Sequence, residues 1–260
     1  MPLDSNNFNN FIFETIDLSE LPENALLSRF DRKYIIPTDK IEAVLELAKF
    51  DYRILKIGDR IEHRYNSSYF DTADYNLYLK HHNKRKVRFK IRLREYLDSQ
   101  IRFAEIKIKG KNGLTEKFRK SLPPNETGEK EIQQLLISNA HELPNIRQSI
   151  AISYNRKTLF HKKLNQRITL DTNICFSENG IEKLIPNMAI LEIKYSGAKQ
   201  NSKTSFNQII HKFERNFSKY CIGVALLHPE IKQNNFLFTL KKIIRLENVD
   251  TQFITDSQHI

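Results

Sequence analysis

The sequence predicts an α+β fold in which a closed antiparallel β-barrel of about eight strands forms a tunnel with a charged lumen, flanked by amphipathic helices. The first observation is KVRFKIRLREY, residues 86–96, where a basic residue stands at every second position. Side chains alternate between the two faces of a strand, so one face is cationic and the other apolar. The same alternation recurs on six predicted strands, and amphipathic helical segments lie between them.

Eight segments combine this alternation with flanking turn residues and are predicted to be strands. They are residues 28–36, 63–70, 86–96, 101–110, 114–122, 150–161, 166–177 and 187–197. The sequences LDSQ (97–100) and GKNG (110–113) are typical of hairpin turns, and ENGIEKL (178–184) is also predicted to be a turn. Residues 86–122 are therefore expected to form a three-stranded meander.

Helices are predicted where apolar residues recur at helical spacing after a capping residue. Thr38 or Asp39 is the expected cap of the first helix. The predicted helices are residues 37–51, 127–142, 203–217 and 229–248, with a short helical piece at 76–82. The segmentation predicts a flexible N-terminal arm at residues 1–24, one tunnel domain at 25–245 that includes the C-terminal helices, and a polar tail at 246–260.

The charge balance implies an anionic partner. The chain has 42 Lys and Arg residues against 31 Asp and Glu residues, for a formal net charge of +11. Nucleic acid, a membrane surface and a phosphorylated small molecule are all compatible with that excess.

Cys175 and Cys221 stand alone, so neither a metal motif nor a disulfide framework is expected. Without a signal-peptide pattern or a long apolar segment, the chain is expected to be cytoplasmic.

The basic residues of neighbouring strands are expected to lie on one common face. Like charges that oppose one another across a sheet repel, so the arrangement favours an anion that removes the repulsion. A helix-covered barrel with a charged lumen fits the pattern, and a membrane barrel fits it less well. The alternating sets are Arg29, Asp31 and Lys33; Arg88, Lys90, Arg92 and Arg94; Glu105, Lys107 and Lys109; Lys117 and Arg119; Arg167, Thr169 and Asp171; Glu192 and Lys194.

The acidic residues among these cations have two interpretations. A carboxylate there could hold a divalent metal that bridges phosphate oxygens, and Glu192 is the first candidate. Glu105 or Asp31 could serve in the same way. For these two residues, an ion pair with a neighbouring basic side chain is at least as good an interpretation.

Nine short motifs resemble a known family when they are taken in order. They are RFDRKY, YNSSYFDT, KIRLREY, FAEIKIK, EKFRK, SYNRKTLF, RITLDTNI, LEIKY and FSKYCIG, within residues 26–228. Together they resemble the polyphosphate polymerase domain of the vacuolar transporter chaperone (VTC) family. That family belongs to the triphosphate tunnel metalloenzymes, also called CYTH-like proteins. The resemblance implies an antiparallel β-barrel tunnel, in agreement with the alternation.

The resemblance also implies roles for the matching positions. Glu192 would hold Mn²⁺ or Mg²⁺, and the substrates would be ATP and polyphosphate, with no nucleic acid. A membrane protein could be a further partner. The implied catalytic residues are Lys33, Arg92, Arg94, Lys107 and Arg156, and the implied substrate-binding residues are Arg29, Lys117, Tyr154, Arg167, Lys194, Ser218 and Lys219.

Two positions depart from the pattern of the wider superfamily. Many tunnel enzymes begin with Glu-x-Glu-x-Lys, whereas here the spacing is Arg29-x-Asp31-x-Lys33. That change disfavours a cluster of several metal-binding carboxylates. Asn216 stands where a second lysine often precedes the FSK-like motif.

Three functions follow from the sequence. The first is a metal-dependent polymerase that transfers the γ-phosphate of ATP to a growing polyphosphate chain. The second is a triphosphate or polyphosphate hydrolase of the same fold, which would need a base to activate water. The third is a non-catalytic polyanion-binding module, for which basic residues interleaved with aromatic ones would suit single strands. Those aromatic residues, which could equally belong to the core, are Tyr65, Tyr69, Phe70, Tyr75 and Tyr78.

Overall fold

An eleven-stranded sheet dominates the computed structural model, which describes residues 13–21, 30–123, 128–139, 141, 143, 145–195 and 205–247. The predicted arm falls within this description only at residues 13–21, and the predicted tail only at residues 246–247. Arg29 lies outside the described residues. In the described part of the arm, Ile16 is buried beside Leu55 and Phe160.

All eight predicted strands are present, and three further strands accompany them. The strands are β1 Thr15–Asp17, β2 Phe30–Pro37, β3 Tyr52–Lys56, β4 His63–Asp71, β5 Arg88–Tyr96, β6 Ile101–Lys109, β7 Thr115–Leu122, β8 Arg147–His161, β9 Gln166–Glu178, β10 Ile181–Ile185 and β11 Met188–Tyr195. The turn predicted at 178–184 is much shorter than expected. Only Asn179 and Gly180 form the turn, both with positive φ, as a tight hairpin requires, and β10 follows at once.

The sheet is not closed, so the predicted closed barrel is wrong. Its strands follow the order β2-β11-β9-β8-β4-β5-β6-β7, and within the described residues no ladder joins β7 to β2. The outer edge of β2 is already occupied by the segment 213–215. The Ile35 amide donates to the Phe213 carbonyl (3.0 Å), and the Arg215 amide donates to the Lys33 carbonyl (2.8 Å). The backbone groups that could have paired with β7 are therefore satisfied elsewhere.

The sheet nevertheless curls into a tunnel. Strands β2 and β4 are four strand-to-strand steps apart along the sheet, which would be about 19 Å in a flat sheet. Even so, Ile35 on β2 and Tyr69 on β4 belong to one hydrophobic cluster with the helical segment 220–225. A helix is about 10–12 Å wide, so the sheet must bend around this segment. We call the concave face of this open tunnel the inner face.

Helices cover the outer face of the sheet. The helices are α1 Ile41–Ala48, α2 Asn76–His82, α3 Glu129–Ile137, α4 Ser205–His211, α5 Lys219–Leu227 and α6 Leu237–Glu247, with 3-10 turns at Leu18–Glu20, Thr38–Lys40 and Asn234–Phe236. Apolar residues of α1 and α4 pack on the outer side of β2, β9 and β11, and those of α3 pack on β5 and β6. Of the described helices, none combines the length and the apolar character needed to span a bilayer.

The predicted helices exist but are shorter than expected, and one helix was missed. Thr38 and Asp39 do not cap α1, because they lie in the preceding 3-10 turn and Lys40 takes the cap position. Helix α5, which the sequence analysis did not predict, enters the tunnel itself. Its apolar residues form one cluster with residues of six strands, β2, β4, β8, β9, β10 and β11. Those strand residues include Ile35, Ile152, Phe176 and Ile190. The helix therefore fills one end of the tunnel with apolar side chains.

Gly223 allows this close fit of α5, which gives a test of the packing. A Cβ atom at Gly223 would lie 2.6 Å from both Ile150 Cδ1 and Phe176 Cδ1. We expect Gly223→Ala to lower the free energy of unfolding by about 1–3 kcal/mol, because an overpacked core must shift. Urea denaturation measures this change.

Gly110→Ala is the matched control, because Gly110 has an ordinary φ and lies in a hairpin turn. Its new methyl group would come closest to the Asn112 side chain, at 3.0 Å, and would otherwise meet only the Leu114 carbonyl oxygen, at 3.9 Å. Its effect should stay within about 0.5 kcal/mol. Equal effects of the two substitutions would contradict the tight packing of α5.

Candidate functional site

Three lysines lie side by side on the inner face, on three adjacent strands. Lys90 pairs in register with Lys107, and Lys107 pairs with Lys117. We call these three residues the lysine row. Within the described residues none of them has a carboxylate partner within 4 Å, although Lys90 donates to Ser218 Oγ (2.8 Å). Burial, with the charge of Lys90, lowers the pKa of Lys107. The row is therefore a concentration of positive charge that the described protein does not neutralise.

Glu192 lies between two lysines on the opposite side of the tunnel. Its Oε1 atom is 3.2 Å from Lys33 Nζ and 3.5 Å from Lys194 Nζ. Burial alone would raise the pKa of the Glu192 carboxyl, but Lys194 and Lys33 outweigh burial and hold that pKa well below its usual range. Burial lowers the pKa of Lys194 to about 8, although Glu192 opposes the change. Lys33 also contacts Asp31.

Asp171 joins two cations at the centre of the inner face. Its carboxylate accepts two hydrogen bonds from Arg156, from Nε (2.5 Å) and Nη2 (2.8 Å), and contacts Lys219 Nζ at the start of α5. The residue is only 1% exposed. Burial would raise its pKa, but Arg156 and Lys219 lower it overall. The sequence analysis noted Asp171 as an alternating residue and did not single it out as part of the site.

Glu105 holds three arginines together, so the ion-pair interpretation is the one the structure shows. Glu105 Oε2 is 2.6 Å from Arg92 Nη2 and 3.8 Å from Arg94 Nε, and Oε1 is 3.4 Å from Arg119 Nε. Burial opposes ionisation, yet Arg92 and Arg94 lower the pKa of Glu105 to about 2. Arg92 also donates to Tyr69 Oη (3.1 Å). The Glu105 carboxylate therefore orients these guanidinium groups.

Aromatic rings form a continuous row across four strands of the inner face. The row runs from Tyr154 on β8 through Tyr65 on β4 and Tyr96 on β5 to Phe103 on β6. Successive ring centroids are 5.3, 4.9 and 5.8 Å apart. The guanidinium of Arg156 lies 5.1 Å from the ring centres of both Tyr65 and Tyr154. The rings thus add cation–π attraction to the ion pair that Arg156 makes with Asp171.

Some buried polar atoms of the inner face make no hydrogen bond within the described residues. They are Arg94 Nε, Arg167 Nε and Thr169 Oγ1. Burial, together with Arg156, lowers the pKa of Arg167. Unsatisfied buried donors are costly unless something accepts from them. These atoms therefore favour a ligand that carries hydrogen-bond acceptors.

Two buried contacts fix the start of α5, where Ser218 and Lys219 lie. Asp71 accepts from the backbone amides of Leu77 and Tyr78 (both 2.8 Å) and from Tyr220 Oη. The Tyr220 ring stacks on Tyr69, with centroids 5.0 Å apart. At the other end of α5, His228 contacts Glu178. Strand β4 and helix α2 thereby position the residues that α5 brings into the tunnel.

The structure brings nearly all the predicted site residues to one surface. Those on the inner face or at the start of α5 are Lys33, Arg92, Arg94, Lys107, Lys117, Tyr154, Arg156, Arg167, Glu192, Lys194, Ser218 and Lys219. Lys117 is exposed, because it lies on the edge strand β7. Arg29 is outside the described residues, and the roles of all these residues stay predictions.

Four further residues belong to this surface but were not predicted as site residues. They are Asp171, Tyr96, Phe103 and Arg119. Asp171 and Arg119 were expected only as members of the alternating charged sets. Each of the four is in phase with a predicted site residue on its own strand or on the neighbouring one, and this phase could have identified them. Of the aromatic residues considered for binding, Tyr65 and Tyr69 line the inner face. Tyr75 and Tyr78 instead pack at α2, and Phe70 belongs to the outer core.

The sequence profile of the VTC domain matches residues 28–228. The chain belongs to the VTC domain family. No curated protein sequence matches the chain at a significant level.

Solved structures with a similar fold share little sequence with this VTC domain. A candidate adenylyl cyclase from Hippeastrum that reveals a dominant triphosphatase activity is 13% identical, covers 75% of this chain and 94% of its own, and has a TM-score of 0.51. A candidate adenylate cyclase from Bacillus halodurans is 16% identical, with coverage of 72% and 92% and a TM-score of 0.46. The PH1819 protein from Pyrococcus horikoshii is 11% identical, with coverage of 78% and 100% and a TM-score of 0.43. The Hippeastrum protein shares the fold of the VTC domain.

The buried pairing of Asp171 can be tested by removing its charge. Asp171→Asn would remove the carboxylate that Arg156 and Lys219 contact directly. We expect the free energy of unfolding to fall by about 3–5 kcal/mol, the usual cost of breaking a buried ion pair from one side.

The control is Asp39→Asn, because Asp39 makes an exposed pair with Lys40. Exposed pairs contribute about 0–1 kcal/mol. Chemical denaturation of both variants provides the comparison. An Asp171→Asn protein as stable as the Asp39→Asn protein would show that the inner cations do not depend on Asp171.

Proposed function

We propose that this VTC domain is a metal-dependent polyphosphate polymerase. It transfers the γ-phosphate of ATP to the end of a growing chain, so that ATP and polyP(n) give ADP and polyP(n+1). Its partners under this proposal are ATP and polyphosphate. Membership of the VTC domain family supports this reading, and the surplus of inner-face cations supports a substrate with many negative charges.

The state of the inner-face carboxylates is the observation that carries the proposal. Glu105, Asp171 and Glu192 each contact Lys or Arg side chains, and each has a pKa below its usual value. A general base that activates water works best with a pKa near the operating pH, which these carboxylates lack. The terminal oxygen of a polyphosphate chain is already ionised and needs no base. Lys194 has a pKa of about 8, but it pairs with Glu192, which favours its protonated form. The arrangement therefore favours transfer to a phosphate acceptor over transfer to water.

Positioning and charge neutralisation are what phosphoryl transfer requires of a protein. Two groups of cations meet beside Tyr65, where the Arg94 and Arg156 guanidinium carbons lie 5.8 and 5.1 Å from the ring centre, and could hold the donor and the acceptor ends. Arg92 and Arg94, oriented by Glu105, offer planar donors to phosphate oxygens. Arg156 and Lys219, oriented by Asp171, offer donors from β8 and from the start of α5. Fixed donors of this kind stabilise charge in the transition state without having to reorganise.

Glu192 would hold the divalent metal. Its carboxylate is ionised, since Lys194 and Lys33 keep its pKa low. The described residues contain no group of three His, Cys, Asp or Glu side chains that could hold a metal ion. This donor set fits Mg²⁺ or Mn²⁺, because Mg²⁺ commonly takes one or two protein carboxylates together with substrate phosphates and waters. When bound, such an ion neutralises charge on the phosphates.

The test is incubation of the pure protein with ATP and Mn²⁺, with product chain length, ADP and free phosphate all measured. We expect long chains and an equal amount of ADP. Arg94→Ala should reduce chain synthesis at least about 100-fold, because it removes a donor to the transferred phosphate. Glu192→Gln should reduce it comparably, because it removes the proposed metal ligand.

The matched control is Arg64→Ala, which removes an arginine whose side chain is 56% exposed and pairs with Asp98. It should leave synthesis near the wild-type rate. Free phosphate without chains would instead indicate a hydrolase. Tight polyphosphate binding with no turnover, unaffected by Glu192→Gln, would indicate a binding module.

A further inference from the structure

The exposed end of the aromatic row lies at the rim of the tunnel, where the Tyr96 and Phe103 rings meet edge to face with their centroids 5.8 Å apart. Tyr154 and Tyr65 are buried, whereas Tyr96 and Phe103 are partly exposed. Ile101, which pairs with Tyr96 and shares its face, is 47% exposed. The row therefore changes along its length, from buried rings among cations to accessible rings beside an apolar side chain.

Arg119 completes this surface as a fixed, planar cation. Its guanidinium carbon lies 3.4 Å from the ring centre of Phe103, so one face of the guanidinium is stacked on that ring. Its edge is held by Tyr96 Oη, which accepts from Nη2 (3.1 Å), and by Glu105, whose Oε1 is 3.4 Å from Nε. The Arg119 side chain is still 46% exposed. With one face covered and the edge bonded, much of that exposure belongs to the opposite face.

A surface of this composition suits the base of a nucleotide. Aromatic rings and guanidinium planes both stack on bases, and every base has a π-face. We propose that Tyr96, Phe103 and Arg119 form a nucleobase platform that binds the base of a nucleoside triphosphate. This inference rests on the proposed function, because it assumes that the phosphates bind to the inner-face cations.

The connection between the platform and those cations supports the assignment. Glu105 forms ion pairs with Arg119 on one side and with Arg92 and Arg94 on the other. Arg119 of the platform therefore shares the Glu105 carboxylate with Arg92 and Arg94, the arginines proposed to bind phosphate. The deeper surface toward α5 offers cations, whereas the rim offers rings. A nucleoside triphosphate would enter with its phosphates first and leave its base on the platform.

The experiment compares two ligands that differ by the nucleoside. Dissociation constants for a non-hydrolysable ATP analogue and for inorganic tripolyphosphate are measured by calorimetry on the wild type and on Phe103→Leu. The leucine keeps apolar bulk but removes the ring. We expect the analogue to bind at least about fivefold more weakly to the variant, since loss of one stacked base costs at least that much. Tripolyphosphate affinity should change less than twofold.

Two further variants separate stacking from structural damage. Phe103→Tyr keeps the ring and should retain the wild-type affinity for the analogue. Phe118→Leu makes the same change on β7 but on the outer side, where Phe118 packs against the core under α3. It should affect neither ligand.

The outcomes distinguish this inference from the proposed function. Equal weakening of both ligands by Phe103→Leu, or no weakening of either, would overturn the platform while leaving the phosphate site standing. The platform would also be overturned if the wild-type protein bound tripolyphosphate and the ATP analogue with equal affinity and Phe103→Leu changed neither affinity. A wild type that binds neither ligand would overturn the proposed function and the platform with it.

Discussion

Uncompensated positive charge on the inner face is the constraint on which the rest of the structure depends. Lys90, Lys107 and Lys117 oppose one another in register, and like charges so close together destabilise a sheet. The protein limits this cost by using Glu105, Asp171 and Glu192 to neutralise other cations of the tunnel. It leaves the lysine row without acidic partners in the described part of the chain. A fold that retains this row of lysines is suited to bind an anion beside them.

Helix α5 divides the tunnel into an apolar end and a charged binding surface. Its apolar residues fill one end, while Ser218 and Lys219 at its start reach Lys90 and Asp171. Asp71, buried beneath the start of α2, holds Tyr220 and so fixes this helix. Helix α5 and its N-cap residue Ser218 thereby contribute to both the core and the polar surface. This arrangement places cations from opposite sides of an open sheet within reach of one ligand.

The alternation of charge could predict the strands and most of the site, because side-chain direction in a strand follows from sequence alone. Lys33, Arg92 and Glu192 could be assigned to one surface in this way. Helix α5 could not be found by periodicity, because it is buried on all sides and has no polar stripe.

Features that depend on register or tertiary contact also escaped prediction. The open edge follows from the segment 213–215, whose pairing with β2 has no local signal. The dual pairing of Asp171 and the aromatic row through Tyr96 and Phe103 depend on how strands align.

The most direct measurement is the thermal unfolding midpoint of the pure protein with inorganic tripolyphosphate, against sodium chloride at equal ionic strength. A ligand at about 100 times its dissociation constant stabilises the folded state by about 2.7 kcal/mol. For a chain of this size that corresponds to a rise of roughly 5–10 °C in the midpoint. Such a rise with tripolyphosphate alone is the result that the uncompensated inner cations predict. An equal shift in both solutions, or none, would contradict the account, because the charge would then be merely screened by salt.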